Sequence, residues 1–121
     1  MCIFCDINKE KIIHEDPYWM SIYDEFPVNE GHVLIIPKRH INNVTELNGN
    51  EIAYFFCALS FIEKFIKEKY KCDGFNIGIN QGEAAGQTVE HLHIHVIPRY
   101  NGDIENPRGG VRGVIPEKRI Y

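Results

Sequence analysis

Residues Thr88 to Tyr100 read TVEHLHIHVIPRY and place three of the chain's six histidines at every second position. In an extended strand alternate side chains point to opposite faces, so His91, His93 and His95 share one face and Leu92, Ile94 and Val96 the other. A helix would turn His93 away from its two neighbours. The β-branched Thr88, Val89, Ile94, Val96 and Ile97, and the stop at Pro98, favour the strand. Such a face suits three uses: a half-exposed strand whose polar positions happen to be histidine, a shared metal, or a reactive surface. It also demands a partner for its apolar side.

That partner is legible elsewhere. From Asn50 to Tyr70 the residues Ile52, Phe55, Phe56, Leu59, Ile62 and Ile66 recur at three- and four-residue spacing, with Glu63, Lys64, Lys67 and Glu68 between them. This is an amphipathic helix whose apolar stripe needs a sheet to cover. Cys57, near the stripe, reads as a small buried residue. KIIHE, YWMSIYDEF and GHVLIIP read as three short strands broken at Asp16-Pro17, Pro27 and Glu30-Gly31, and GFNIGIN as a fourth. Short connections imply antiparallel pairing. The expected architecture is α+β, a five-stranded antiparallel sheet packed on one long helix. Residues 1–100 form the body and 101–121, with neither period, an irregular arm of the same domain.

With 121 residues the chain suffices for a core without staples. A net charge of −4, with only the short basic groups PKRH and PEKRIY, excludes a general nucleic-acid surface. The longest mainly apolar run, Ala53 to Ile62, falls far short of the roughly 20 residues that cross a bilayer, and the sequence starts with no secretory pattern. A cytoplasmic home is expected, with the four cysteines reduced.

The loop Gly82 to Gly86 precedes the histidines, where glycines let backbone N–H groups converge on an anion and Thr88 adds a hydroxyl. HLHIHVI preceded by GQTVE resembles the signature of the histidine triad family of nucleotide hydrolases and transferases. The resemblance extends to NEGHVLIIPKRH, CIFCDI and NIGIN and runs to about Arg99.

It implies a homodimer with a continuous sheet and a nucleotide substrate, adenosine-type by expectation. It makes His93 the nucleophile, puts His32 and His95 against phosphate, and has the carbonyl of His91 hold the ring of His93. The α-phosphate charge is then met by backbone N–H groups of the Gly86–Gln87 turn, by Thr88 and by His95. Asp24 matches a ribose-binding position and Asn80 a polar residue near phosphate or ribose. Phe4, Ile7, Ile22 and Leu34 match apolar positions around the base.

CIFC supplies Cys2 and Cys5 at a spacing that suits one metal or a pair of reduced thiols. By the same resemblance His40 and His91 complete a structural zinc site. A triad ending in histidine favours hydrolysis. PRYNGD leans toward dinucleoside polyphosphates and Asp24 toward nucleoside phosphoramidates, and the former is the expected substrate class. A nucleotide-binding sensor without turnover is the reading outside enzymology.

Overall fold

The computed structural model describes residues 2–121. Five strands form one antiparallel sheet: β1 (Ile12–Glu15), β2 (Trp19–Tyr23), β3 (Val33–Pro37), β4 (Gly74–Gly78) and β5 (Ile94–Arg99). Their spatial order is β1-β2-β3-β5-β4, so β1 and β4 are the edges. One helix, α1 (Gly49–Tyr70), covers one face. The expected α+β architecture is the observed one. Among the described residues no helix is long and apolar enough to cross a membrane.

Alternation sorts the strands between two clusters. Trp19, Val33, Ile35, Ile94 and Val96 pack under α1 with Ala58, Ile62 and Ile66, while Met20, Ile22, Leu34 and Ile36 gather with Phe4 on the other face. The helical stripe is narrower than its periodicity implies. Phe56 is 69% exposed and Ile52 52%, whereas Ala58 is buried. Cys57 is also exposed, not the small buried residue expected. A helix on one sheet hides only the side that meets it, and α1 leaves Ile52, Phe56 and Cys57 on the outer side.

The start of α1 is built with care. Asn48 accepts from the Glu51 N–H and Glu51 accepts from the Asn48 N–H, a reciprocal cap. The Glu51 side chain, 2% exposed, also accepts from Arg39, which holds the carboxylate below its usual range, and its backbone carbonyl takes the indole N–H of Trp19. Arg39 adjoins His40, so this ion pair fixes the turn that carries His40. Glu51→Ala is expected to cost about 1 kcal/mol or more, through the lost reciprocal cap at the start of α1. Denaturant unfolding of the variant measures this, and a cost below roughly 0.5 kcal/mol would refute the argument.

The histidine segment departs from expectation in one respect. The ladder of β5 begins only at Ile94, paired with Ile35, and His95 pairs with Leu34 on one side and Gly78 on the other. His91 and His93 lie ahead of it: β4 ends at Gly78, opposite His95, and the pairing with β3 stops at Ile35 although β3 itself runs on to Pro37. The chain instead bonds Leu92 N–H to the Ile41 carbonyl at 2.7 Å. Alternation persists through this bend, for Leu92 stays in the core under α1 while His93 meets Phe4 on the far side.

The arm is irregular as expected but ordered into two short 3-10 turns, Gly110–Val114 and Pro116–Lys118. Arg119 donates to the carbonyls of Asn106 and Arg108, which folds the arm on itself.

Candidate active site and metal cluster

The sheet face away from α1 opens into a cleft of about 1180 Å³. Its lining includes Phe4, Ile7, Ile22, Asp24, His32, Leu34, Asn80, Gly86, Thr88, His93 and His95, which brings together most of the residues singled out in the sequence. Ile22 and Leu34 face it from paired positions of β2 and β3. Phe4 arrives from the amino-terminal segment.

Hydrogen bonds settle which ring nitrogens carry protons. His93, 7% exposed, sets Nδ1 at 2.8 Å from the carbonyl oxygen of His91. A carbonyl only accepts, so Nδ1 carries the hydrogen and Nε2 keeps its lone pair. His32 is fixed the other way. Its Nδ1 accepts from the Val28 N–H at 3.0 Å, so in the neutral ring the hydrogen sits on Nε2, 3.0 Å from His95 Nδ1. His95 Nδ1 then accepts, and its Nε2 carries the hydrogen. His93 thus offers a lone pair where His95 offers an N–H.

Charge is kept off His95 and His32. Burial, with His93 and His32 as neighbours, brings His95 down to about 4, and burial lowers His32 despite Asp24 nearby. At neutral pH His95 therefore gives a hydrogen bond, not a stored proton. Asp24 Oδ2 lies 3.5 Å from His32 Nε2 and 3.9 Å from His95 Nδ1, longer than hydrogen bonds. Its Oδ1 caps the turn by accepting from the Phe26 N–H, which leaves Oδ2 to accept from a ligand. Asp24 is at once a turn residue and a lining residue.

The glycine loop corrects an expectation. Gly86 has φ +92°, a conformation that favours glycine, but its own N–H donates to the Glu83 carbonyl. The N–H groups of Ala85 and Gln87 both go to the Gly82 carbonyl, so these amides are spent within the turn. Gln87 does not line the cleft. Its side chain accepts from Gly82 N–H and donates to Asn42 and to the Val89 carbonyl, bracing the loop. Among the described residues the amides of Thr88 and Val89, both on the cleft wall, have no partner in the chain. They are the donors an anion would meet. The glycines shape the turn that frees these two, a division of labour hidden in the letters GEAAGQTV.

Sequence reading also missed the arm. Gly110, Val111, Gly113 and Val114 join the cleft lining, and Arg99 reaches Asn76 beneath them, with its guanidinium also paired to Asp103. No periodicity marked this stretch, so only its folded path reveals it.

A second cluster lies behind the cleft, where Cys2, Cys5, His40 and His91 offer ligand atoms all within 4.8 Å of one another. His91 Nδ1 is 3.4 Å from Cys2 Sγ, 3.5 Å from Cys5 Sγ and 3.1 Å from His40 Nδ1, and Cys5 Sγ is 3.1 Å from His40 Nδ1. A tetrahedral zinc with bonds of about 2.3 Å to sulfur and about 2.0 Å to nitrogen has edges of roughly 3.3–3.8 Å. The four atoms are spaced at or just below that. His91 Nε2, 2.8 Å from the Pro37 carbonyl, must donate, which leaves Nδ1 bare toward the thiols. The donor set fits zinc.

Asp24, His32 and His95 also approach one another closely enough for a metal. The tautomers separate the two clusters. Val28 N–H occupies His32 Nδ1 and forces the proton onto Nε2, the atom a metal would need. In that trio the two rings donate and Asp24 accepts.

Known proteins agree with this architecture. The HIT domain family model matches residues 6–102. An uncharacterized HIT-like protein of Methanocaldococcus jannaschii is 41% identical over 109 residues, covering 87% of this chain and 84% of the relative. A bis(5'-adenosyl)-triphosphatase of Saccharomyces cerevisiae is 40% identical over 92 residues, 75% of this chain and 45% of the yeast protein. Among solved structures, a zinc-bound histidine triad family protein from Mycobacterium smegmatis superposes with a TM-score of 0.75 at 39% identity, over 84% of this chain and 77% of that one. With the family model spanning most of its length and the rings set as described, the chain belongs to the HIT domain family.

Proposed function

We propose that the protein is a nucleotide hydrolase that cleaves the α-phosphate linkage of dinucleoside polyphosphates and releases AMP. The observation that carries this reading is the His93 ring, buried at the cleft with Nδ1–H tied to the His91 carbonyl and Nε2 left as a lone pair. The yeast relative, a bis(5'-adenosyl)-triphosphatase, supports the substrate class.

In this mechanism Nε2 attacks the α-phosphorus, a P–N bond forms, and the P–O bond to the remaining nucleotide breaks with its electron pair leaving on oxygen. Water then attacks phosphorus and gives up a proton to solvent, the P–N bond breaks, and AMP departs as His93 regains its lone pair. The N–H of His95 and the amides of Thr88 and Val89 meet the charge on the non-bridging oxygens. Asp24 Oδ2 accepts from ribose hydroxyls, Asn80 adds a polar contact, and Phe4, Ile7, Ile22 and Leu34 enclose the base. Cys2, Cys5, His40 and His91 would hold a structural zinc, which when bound ties the amino-terminal segment to the body. No chemical step passes through it. The edge strand β4 and the exposed Phe56 and Ile52 support pairing of two copies.

One observation favours a second reading, hydrolysis of nucleoside phosphoramidates. Asp6, Asp24 and Glu25 line the cleft against a single cationic side chain, Lys11, which is already paired with Glu25 at 2.8 Å. A polyphosphate brings several negative charges to this wall and a phosphoramidate about one. Parallel kinetics decide. Diadenosine tri- or tetraphosphate is expected to give AMP plus the remaining nucleotide with a higher kcat/KM than adenosine 5'-phosphoramidate. The reverse preference would establish the second reading, and nucleotide binding without turnover of either substrate would make the protein a sensor.

A further inference from the structure

His91 serves both centres at once. Its Nδ1 faces the thiols of Cys2 and Cys5, while its backbone carbonyl takes the Nδ1–H of His93. Phe4 forms a second connection. It sits between the two cysteines in sequence, and its ring stands edge-on to His93 with centroids 5.1 Å apart and to His91 at 6.0 Å. Phe4 is buried although its neighbours Ile3 and Cys5 are exposed.

The amino-terminal segment has little else to hold it. Among the described residues its main-chain hydrogen bonds are local, Cys5 N–H to the Cys2 carbonyl and Lys11 N–H to the Asn8 carbonyl. Nothing in the backbone ties residues 2–8 to the sheet. The contacts that do are the Phe4 and Ile7 packing and the four-atom cluster at Cys2 and Cys5. Two rings are thus set by one clamp.

We propose that Phe4 and the cysteine clamp are a positioning device for the nucleophile. Metal held by Cys2, Cys5, His40 and His91 fixes the His91 main chain and seats Phe4 against His93, so that His93 holds one tautomer and one orientation. This rests on the reading of His93 as nucleophile, but its structural half does not depend on turnover. The physical reason is that a ring in a half-open cleft samples rotamers and tautomers unless both its polar and its apolar contacts are fixed. The His91 carbonyl supplies the first contact and Phe4 the second.

Two measurements on the full chain test this. Long-range ¹H–¹⁵N correlation of the histidine rings, at a temperature where both forms stay folded, reads the His93 tautomer with zinc bound and after chelation. A single Nδ1–H tautomer with zinc and a mixture without it are expected. In parallel, Phe4→Leu should keep its zinc yet lose roughly tenfold in kcat at saturating substrate, beyond whatever the lost base packing adds to KM, with Phe4→Tyr restoring most of the kcat. A His93 that keeps one tautomer after chelation would overturn the proposal. So would a Phe4→Leu variant with wild-type kcat, or one whose loss lies only in KM. Were the chain to turn over no nucleotide at all, the function assigned above would fall while the ring measurement still decided the positioning claim.

Discussion

Replacing His93 by asparagine is expected to lower kcat by roughly ten-thousand-fold or more while AMP still binds within a few-fold of wild type. Asparagine is close in size, and its amide can donate to the His91 carbonyl that now accepts from Nδ1. The pocket therefore keeps its shape and loses only the lone pair. Phe4, Leu34, Asp24 and the free amides of Thr88 and Val89 remain where they line the cleft. Single-turnover kinetics and calorimetric AMP binding on the same preparation make the comparison. A variant within tenfold of the wild-type rate would sink the covalent mechanism, whatever its substrate.

Purified protein is expected to carry one zinc per chain, not two, and to lose about 10 °C or more in Tm when the metal is stripped or when Cys5 is changed to serine. The stoichiometry follows from proton placement. His91 gives its Nε2–H to Pro37 and turns a bare Nδ1 to the thiols, whereas His32 spends Nδ1 on Val28 and keeps a proton on the nitrogen facing Asp24 and His95. The stability loss follows from tethering, since residues 2–8 make only local main-chain bonds and the cluster is what joins them to His40 and His91. Metal analysis after exhaustive dialysis, with melting curves before and after chelation, gives both numbers. Two tightly held zinc ions would mean the His32 tautomer argument is wrong, and none would remove the structural site.

Much of this arrangement was legible in the letters. Alternation in HLHIHVIP put the histidines on one face and Leu92, Ile94 and Val96 on the other, because side-chain direction in extended chain depends only on parity. The period of Ile62 and Ile66 placed a helix over the sheet, and short polar connections made the strands antiparallel. Family resemblance named candidate nucleotide-binding residues, and one cleft gathers all of them but Gln87.

What tertiary structure alone decided is where neighbouring strands stop and where each hydrogen goes. The strand ladder begins at Ile94, not at Thr88: β4 ends at Gly78, opposite His95, and the pairing with β3 stops at Ile35 although β3 runs on to Pro37. Phe56 and Ile52 are exposed because a single sheet covers only part of a helix's circumference, a limit that periodicity does not contain. The amides of Gly86 and Gln87 are consumed inside their turn and those of Thr88 and Val89 left free, a consequence of dihedral angles that residue names do not specify. Tautomers belong to the same class. Sequence supplies identical imidazoles at His32, His91, His93 and His95, and only the carbonyl or amide that each meets across the fold leaves one with a bare nitrogen turned to two thiols, one with a lone pair at the cleft and the others as donors.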